Sequence, residues 1–353
     1  MKKQQSSAPV PPSKAPSATD VARLAGVSRT QVSYVLSNTS STHVSPEKRE
    51  RILAAAKELG YRPHHMAQSL RRGFSSEFSI FFPAPYTSRI SGIISTIHAD
   101  GLAGGCVVTQ YSWNRFQDPE RRLETFQAML ARRPRGIFCS LLDLDRSYID
   151  MAREQGVERI LVLDVEEHDE FATFYLPIES VGRLAAEHLI ERGHRRVAIV
   201  KPADPAQKRP FKLRQRGMKR VFSTVSGASI ETLDWPDDDI VPSLAAAREA
   251  ASSFMAMSPR PSAIYAYSDD HAFALMRALR EHGLKVPLDI AVLGTDDLPY
   301  SEQFTPSLST IRFDEAALGK RAVALINSLI TGDPLDERFM QAPIPYLVIR
   351  EST

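Results

Sequence analysis

The chain has 353 residues, of which 43% are hydrophobic and 24% are charged, which predicts a globular protein of two or three domains and excludes a wholly disordered or fibrous one. Lys and Arg number 44 against 42 Asp and Glu, and there are only two cysteines, Cys106 and Cys139. So few cysteines exclude a disulfide scaffold or a Cys-rich zinc module and favour a reducing, cytoplasmic location. No apolar run is long enough to span a membrane, so we expect no membrane contact.

Positive charge is concentrated at the start of the chain. Residues 1–72 carry 12 Lys and Arg against 4 Asp and Glu, whereas residues 73–353 carry 32 against 38. A segment of net charge +8 on a body of net charge −6 is expected when only the segment contacts a polyanion. A solvated basic face would give the same charges, so the residue pattern inside the segment must decide.

Residues 1–16 are rich in Ser, Ala and Pro and contain Lys2 and Lys3, which predicts a disordered basic tail. No apolar run follows the two lysines, so we do not expect a secretory signal.

Three short helices are predicted over residues 17–62. Each begins at a capping residue, and the first and third end at glycine. The predicted caps are Thr19, the capping box of Ser28 with Gln31, and Ser45 followed by Pro46; the predicted stops are Gly26 and Gly60. The apolar residues that we expect to pack together are Val21, Leu24, Ala25, Val32, Val35, Leu36, Ile52, Leu53, Ala56 and Leu59.

Two short helices joined by a tight turn, with a third closing the core, form a helix-turn-helix domain. The second helix then presents Arg29, Thr30, Ser33 and Tyr34 outward, as a recognition helix in the major groove does. A generic three-helix domain remains the alternative. Residues 63–73 predict one short helix, too short to be stable alone in water, which DNA would order.

The sequence from residue 77 onward alternates short apolar strands with helices. The predicted strands are Phe78–Phe82, Cys106–Thr109, Gly136–Cys139, Ile160–Leu163, Val197–Val200, Ala263–Ala266 and Ile290–Leu293. This alternation is typical of doubly wound parallel sheets, and two such sets predict two lobes with a ligand cleft between them.

Several stretches resemble the lac-repressor family of bacterial transcription regulators. The densest match runs from Thr19 to Leu36, and the resemblance covers nearly the whole chain after the tail. The other matching stretches are Val44–Leu53, Glu58–Pro63, Glu187–Ile199, Gly294–Asp297, Pro306–Ile311 and Val348–Thr353.

The resemblance implies an all-α helix-turn-helix head, a hinge helix at 63–73 and a two-lobed α/β core like periplasmic sugar-binding proteins. It implies a core at 77–353, with one lobe at 77–177 and 306–335 and the other at 178–305 and 336–353. It also implies a regulator, expected to be a repressor, that binds a pseudo-palindromic operator as a homodimer and is controlled by a small ligand. The family's minor-groove wedge matches Leu70, which would unstack a base step; a contact between paired hinge helices is the alternative for Leu70.

The family's DNA-contacting positions match a set of residues in the head and hinge. Tyr34 departs from the arginine that many relatives carry there, and His64 departs from asparagine, so the operator preference is not expected to be copied. The matching residues are Ser17, Ser28, Arg29, Thr30, Gln31, Ser33, Tyr34, His43, Ser45, His64, Ala67, Gln68, Leu70 and Arg71.

The family's effector positions match six residues of the core: Asp164, Arg214, Trp235, Ser268, Asp269 and Asp296. Arginine can span two acceptors, and aspartates can accept hydroxyl hydrogens. A loop cap for Asp296 and a core position for Trp235 remain alternatives. Because Ser268, Glu179, Ser180 and Thr295 depart from family patterns, the pocket has either changed its ligand or lost small-molecule control.

Two other classes are weighed against a regulator. A Rossmann-like enzyme would need a glycine-rich phosphate loop or a metal motif, and the sequence has neither. The pairs Asp269-Asp270 and Asp296-Asp297 lack a third convergent cation ligand in the sequence. A solute-binding protein would not need a basic head. We therefore expect no enzyme, no cofactor and no metal.

Overall fold

The computed structural model describes residues 16–36, 44–61, 76–85, 87–114, 119–237 and 242–353. The chain divides into two compact units between Ser75 and Ser76. None of the described helices is long and apolar enough to cross a membrane.

The first unit contains helices α1 (Ala18–Ala25), α2 (Arg29–Leu36) and α3 (Pro46–Glu58). The cap of α1 is Ser17 and not Thr19, because the Ser17 hydroxyl and the Asp20 carboxylate form a reciprocal capping box. Gly26 ends α1 with φ +65°, a left-handed conformation that glycine adopts without strain.

Three side chains, Val21, Val32 and Ile52, lie fully inside the small core of this unit. The predicted inner faces of α1 and α3 are wrong at Leu24 and Leu53, each of which is 48% exposed. The predicted Ala25 and Ala56 are buried, and so are Ala22 and Ala55, which were not predicted, because α1 and α3 approach closely.

The first sheet of the second unit has the strand order β2-β1-β3-β4-β5, and all neighbouring strands are parallel. Its strands are β1 (Glu77–Ala84), β2 (Val107–Asn114), β3 (Gly136–Ser140), β4 (Arg159–Asp164) and β5 (Ala172–Tyr175). The helices that follow its strands are α4 (Ser88–Asp100), α5 (Pro119–Leu130) and α6 (Ser147–Glu154). This is the predicted parallel α/β layer.

The second sheet has the order β11-β10-β9-β8-β6-β7, in which only the pair β10 and β11 is antiparallel. Its strands are β6 (Arg196–Lys201), β7 (Ser229–Asp234), β8 (Ala263–Tyr265), β9 (Ala291–Thr295), β10 (Ser309–Arg312) and β11 (Tyr346–Val348). The helices are α7 (Ile178–Glu191), α8 (Lys208–Phe222), α9 (Leu244–Met255), α10 (Asp269–Glu281) and α11 (Glu315–Thr331).

The expected lobe boundary at residue 306 differs from the structure. Strand β10 pairs with β9 in the second sheet, whereas α11 packs against α4, β4 and β5 of the first lobe. The crossing therefore lies between β10 and α11, near residue 313, so 306–312 belongs with the second lobe. Pairing with β9 satisfies the backbone groups of β10, and the apolar face of α11 needs the first sheet to cover it.

Candidate functional site

The outward face of α2 carries the residues predicted to read bases. Arg29 and Thr30 are exposed in its first turn, and Tyr34 lies one turn later with 44% of its surface exposed. Val32 and Val35 hold the opposite face in the core. The structure thus leaves the polar face of α2 uncovered within this unit.

Ser17, Ser28 and Ser45 begin the three helices of the head. The Ser28 backbone N–H donates to Gln31 Oε1 at 3.1 Å, and the Gln31 N–H donates to Ser28 Oγ at 3.2 Å, so the predicted capping box is present. Ser45 caps α3 ahead of Pro46, as predicted. A helix N-terminus presents free N–H groups and a positive dipole, which suits a phosphate.

Of the remaining predicted DNA contacts, only Ser33 lies within the described residues. Ser33 is half-buried in the middle of α2. The predictions at His43, His64, Ala67, Gln68, Leu70 and Arg71 fall outside the described residues and stay predictions.

The core brings the carboxyl ends of strands from both lobes together. Asp164 ends β4 of the first lobe, and Asp296 follows β9 of the second. Two ion pairs join the lobes there: Arg89 of α4 with Asp296, and Arg209 of α8 with Asp164. We call the space between these pairs the cleft; such strand ends are where open α/β proteins bind ligands.

Asp164 is fully buried, and each of its oxygens has two partners. Oδ1 accepts from the Val165 N–H at 2.6 Å and lies 3.0 Å from Arg209. Oδ2 lies 2.7 Å from His168 Nε2 and 3.4 Å from a second nitrogen of Arg209. The predicted effector residue is therefore already saturated by protein groups.

Asp296 has φ +114°, a conformation that non-glycine residues rarely adopt and that clusters at functional sites. Its carboxylate pairs with Arg89, and both side chains are about 15% exposed. The Arg89 guanidinium also lies 4.5 Å from the centre of the Phe313 ring. Sequence reasoning missed Arg89 and Arg209, because nothing in their local sequence shows which carboxylate lies across the cleft.

Arg214 is the third arginine of this region and is only 3% exposed. One of its terminal nitrogens donates to the Tyr267 carbonyl, and the guanidinium stacks 4.2 Å over the Tyr267 ring. Its Nε is buried without a hydrogen-bond partner. Among the described residues, no carboxylate lies within ion-pair distance of it.

The described contacts of Ser268 and Asp269 lie within the second lobe. Ser268 caps α10 and contacts His271 Nδ1 at 2.8 Å. Asp269 is fully buried, and it accepts from the Leu298 N–H, the Ser301 hydroxyl and the Thr310 hydroxyl at 2.6 to 2.9 Å. Burial and the negative charge of Asp296 raise the pKa of Asp269 to about 6.

Trp235 is 2% exposed and lies in the core of the second lobe. Its indole N–H donates to Asp237 at 2.9 Å, and its ring meets the His271 ring edge-on at 4.8 Å. These contacts correspond to the core position that was the alternative for this residue.

The paired acidic residues do not converge on a cation. Asp297 pairs with Arg312 and Arg350, and Asp270 accepts from the Tyr300 hydroxyl at 2.6 Å. Within the described ranges, no group of three His, Cys, Asp or Glu side chains has the arrangement of a metal site.

Comparison with known proteins assigns the two units separately. Residues 18–64 match the family model of bacterial regulatory proteins of the lacI family, and residues 186–353 match a periplasmic binding protein-like domain. The first match covers the three helices of the head, and the second covers most of the second lobe and α11.

The chain is similar along nearly its whole length to transcriptional repressors. It is 26% identical to the repressor PurR of Photobacterium profundum, over 94% of this chain and 97% of that one, and 29% identical to the probable repressor ExuR of Bacillus subtilis, over 83% and 85%. The structure of a lac repressor dimer bound to operator and the anti-inducer ONPF matches with a TM-score of 0.75 and 28% identity, covering 96% of this chain and 99% of that one. The predicted fold class, a helix-turn-helix head with a two-lobed α/β core, is confirmed, and the two domain matches, the relatives and the structural neighbour together support a regulator of the lacI family.

Proposed function

We propose that this regulator is a repressor that binds a pseudo-palindromic operator as a homodimer, under the control of a small ligand in the cleft. The observation that carries the proposal is the uncovered polar face of α2 in a segment of net charge +8. Arg29, Thr30 and Tyr34 read base edges, and the capped helix ends contact phosphates. The protein acts in the cytoplasm, where bacterial DNA is, and has no catalytic role.

An apolar groove on the second lobe supports the dimer. It has a volume of about 470 Å³ and includes Phe273 and Phe304, whose rings stack at 4.2 Å. Leu288 at its edge is 82% exposed. Exposed apolar surface of this kind is typical of subunit contacts, and a two-fold dimer matches a two-fold operator.

In the cleft, Arg214 is the proposed effector contact, and Asp164 and Asp296 are proposed effector residues that a ligand reaches in competition with Arg209 and Arg89. Ser268, Asp269 and Trp235 are left out of the effector set, since their described contacts lie within the second lobe. A regulator without small-molecule control is the second candidate, favoured by the two ion pairs that join the lobes. An effector that shifts operator affinity tenfold needs a differential affinity of about 1.4 kcal/mol for the two states of the protein.

Selection of bound fragments from a random DNA pool by the full-length protein tests the repressor proposal. We expect a pseudo-palindrome that binds two protomers per site, measured by titration at DNA concentrations far above the dissociation constant. A selected pool without symmetry, or one protomer per site, would contradict it.

Leu70 is proposed as the minor-groove wedge that bends the operator. Leu70→Ala should lose most of the specific affinity and the bend, measured by energy transfer between the ends of an operator fragment. Non-specific binding should persist, since the positive charges of the head remain. An unchanged bend with unchanged specific affinity would leave Leu70 as a packing residue.

A further inference from the structure

We propose that the cleft binds a small carboxylate, held by the guanidinium of Arg214. This inference deepens the proposed ligand control and rests on it. It starts from the hydrogen-bonding groups that the two lobes leave unused.

The two predicted cleft aspartates already have protein partners among the described residues. A polyhydroxyl ligand donates its hydroxyl hydrogens to carboxylates such as those of Asp164 and Asp296. Both oxygens of Asp164 are saturated by Val165, His168 and Arg209. Asp296 is held by Arg89 from the opposite lobe. A neutral sugar would have to displace Arg209 to reach Asp164, and at Asp296 it would compete with Arg89 for one of the two carboxylate oxygens.

The unused group is a donor. Arg214 is 3% exposed, and its Nε has no hydrogen-bond partner. The nearby phenols of Tyr265 and Tyr267 do not supply a negative charge, since burial raises the pKa of each, that of Tyr267 to about 12. A buried cation without an anionic partner is costly, so a ligand that brings a negative charge is favoured over a neutral one.

The geometry of this donor fits a carboxylate. One terminal nitrogen of Arg214 is already engaged by the Tyr267 carbonyl, which leaves Nε as the donor on the other edge of the guanidinium. The Nε–H is one of the donors with which a guanidinium holds a carboxylate oxygen. The other cleft arginines, Arg89 and Arg209, already have carboxylate partners, so Arg214 is the cleft arginine that remains to bind a ligand's carboxylate.

Formate, the smallest carboxylate, is the probe, used with the full-length protein at constant ionic strength balanced with chloride. A ligand that binds only the folded state raises the melting temperature in a saturable way. At ten times the dissociation constant we expect a rise of about 3 °C for the wild type. Formamide, glucose and inorganic phosphate should each give a smaller rise than formate, and Arg214→Met should abolish the formate response.

Arg248→Gln is the matched control, because Arg248 is an exposed arginine with its own partner, Glu281, and should keep the wild-type response. If Arg214→Met does not fold, the proposal is tested by following the NMR resonance of the Arg214 Nε–H in the wild type. Formate should move that resonance in a saturable way, and chloride should not.

Three results would overturn the carboxylate proposal: an equal response in Arg214→Met, a resonance that formate does not move, or formamide, glucose or inorganic phosphate acting as strongly as formate. Operator binding is measured separately by fluorescence anisotropy. If a neutral sugar shifts operator affinity through the cleft, the proposed function stands and the carboxylate inference fails. If no DNA is selected at all, the proposed function fails, whatever formate does.

Discussion

Burial keeps His271 uncharged at the edge of the second-lobe core. The ring is 6% exposed, contacts Ser268 through Nδ1 and meets Trp235 edge-on. Burial lowers the pKa of His271 to about 4, with Asp237 opposing the shift and the positive charge of Arg214 adding to it. The histidine therefore links the fold of this lobe to pH.

The sign of that link follows from the unfolded chain, in which a histidine has a pKa of about 6.5. Between pH 6.5 and 4 the unfolded state takes up a proton that the folded state does not, so stability falls as pH falls. At pH 5 the loss from His271 is about 2 kcal/mol. Urea unfolding at pH 7 and pH 5 should show a smaller pH-dependent loss for His271→Gln than for the wild type.

The exposed His282 provides the control, and His282→Gln should keep the wild-type pH dependence. His188, whose pKa burial also lowers to about 4, contributes equally to all three proteins and does not affect the comparison. A His271→Gln protein with the full wild-type loss would show that His271 is not the source of the pH dependence assigned to it.

At the level of elements, α7 and α8 pack so closely that two glycines replace side chains. A Cβ on Gly217 would lie 2.2 Å from the Glu179 carbonyl oxygen, and one on Gly182 would lie 1.9 Å from that of Arg214. This contact places the backbone of Arg214 against α7 and so sets the position of its side chain in the cleft.

Gly217→Ala should destabilise the core by about 2 kcal/mol. Alanine is about 1 kcal/mol more favourable than glycine in a helix. The Glu179 carbonyl belongs to the backbone of α7 and cannot move away from the new Cβ, so the cost of overpacking exceeds that gain. Lys219→Ala, on the exposed face of α8, is the control and should change stability little. Thermal unfolding that shows Gly217→Ala equal to or above the wild type would contradict the close packing.

The ion pairs between the lobes make a second prediction at this scale. Arg89 and Asp296 are largely shielded from water, so a double-mutant cycle with Arg89→Met and Asp296→Asn should give a coupling energy of about 1–2 kcal/mol in urea unfolding. The exposed pair Arg248 and Glu281 should give a smaller coupling energy, because water screens it. Equal coupling in the two pairs would mean that Arg89 does not hold the lobes together.

The buried parallel strands could be predicted from the sequence because their apolar runs are continuous, as in β4 and β6. The edge strand β2 was predicted at Cys106–Thr109, but the edge strands β7 and β11 were not. Strand β7 has several half-exposed or exposed residues, and β11 spans only Tyr346–Val348. Strand β5 has only one fully buried residue. Helix α11 is not among the predicted elements, although Leu318, Ala322 and Ile326 mark a buried face at a spacing of four.

The site was predictable only in part. The resemblance placed Asp164, Arg214 and Asp296, and the structure brings them to the cleft region. Arg89 lies 207 residues from its partner Asp296, and Arg209 lies 45 residues from its partner Asp164. Each arginine belongs to the opposite lobe from its aspartate, so the pairing depends on how the lobes close. Local pattern carries no information about that closure, which is why the saturation of Asp164 could not be foreseen.

At the scale of the whole molecule, charge and fold divide at the same place. The segment with net charge +8 ends at residue 72, and the structural units separate after Ser75. A basic unit that reads DNA and a core that binds a ligand are thus separate in composition as well as in structure. Sequence-independent attraction to phosphates is expected to come from the head alone.

The most direct test of the central claim, that the head reads a specific DNA sequence, is the affinity of the full-length protein for the selected operator across a range of salt concentrations. Log affinity should fall linearly with log salt, with a slope of about −0.9 for each phosphate contact. Arg29→Ala should lose about 1–3 kcal/mol of discrimination against a substituted base and keep most of the salt slope. Lys57→Ala, at the far end of α3, is the control and should keep the base preference. An affinity that does not change with salt, or an Arg29→Ala protein with the full wild-type sequence preference, would contradict the account.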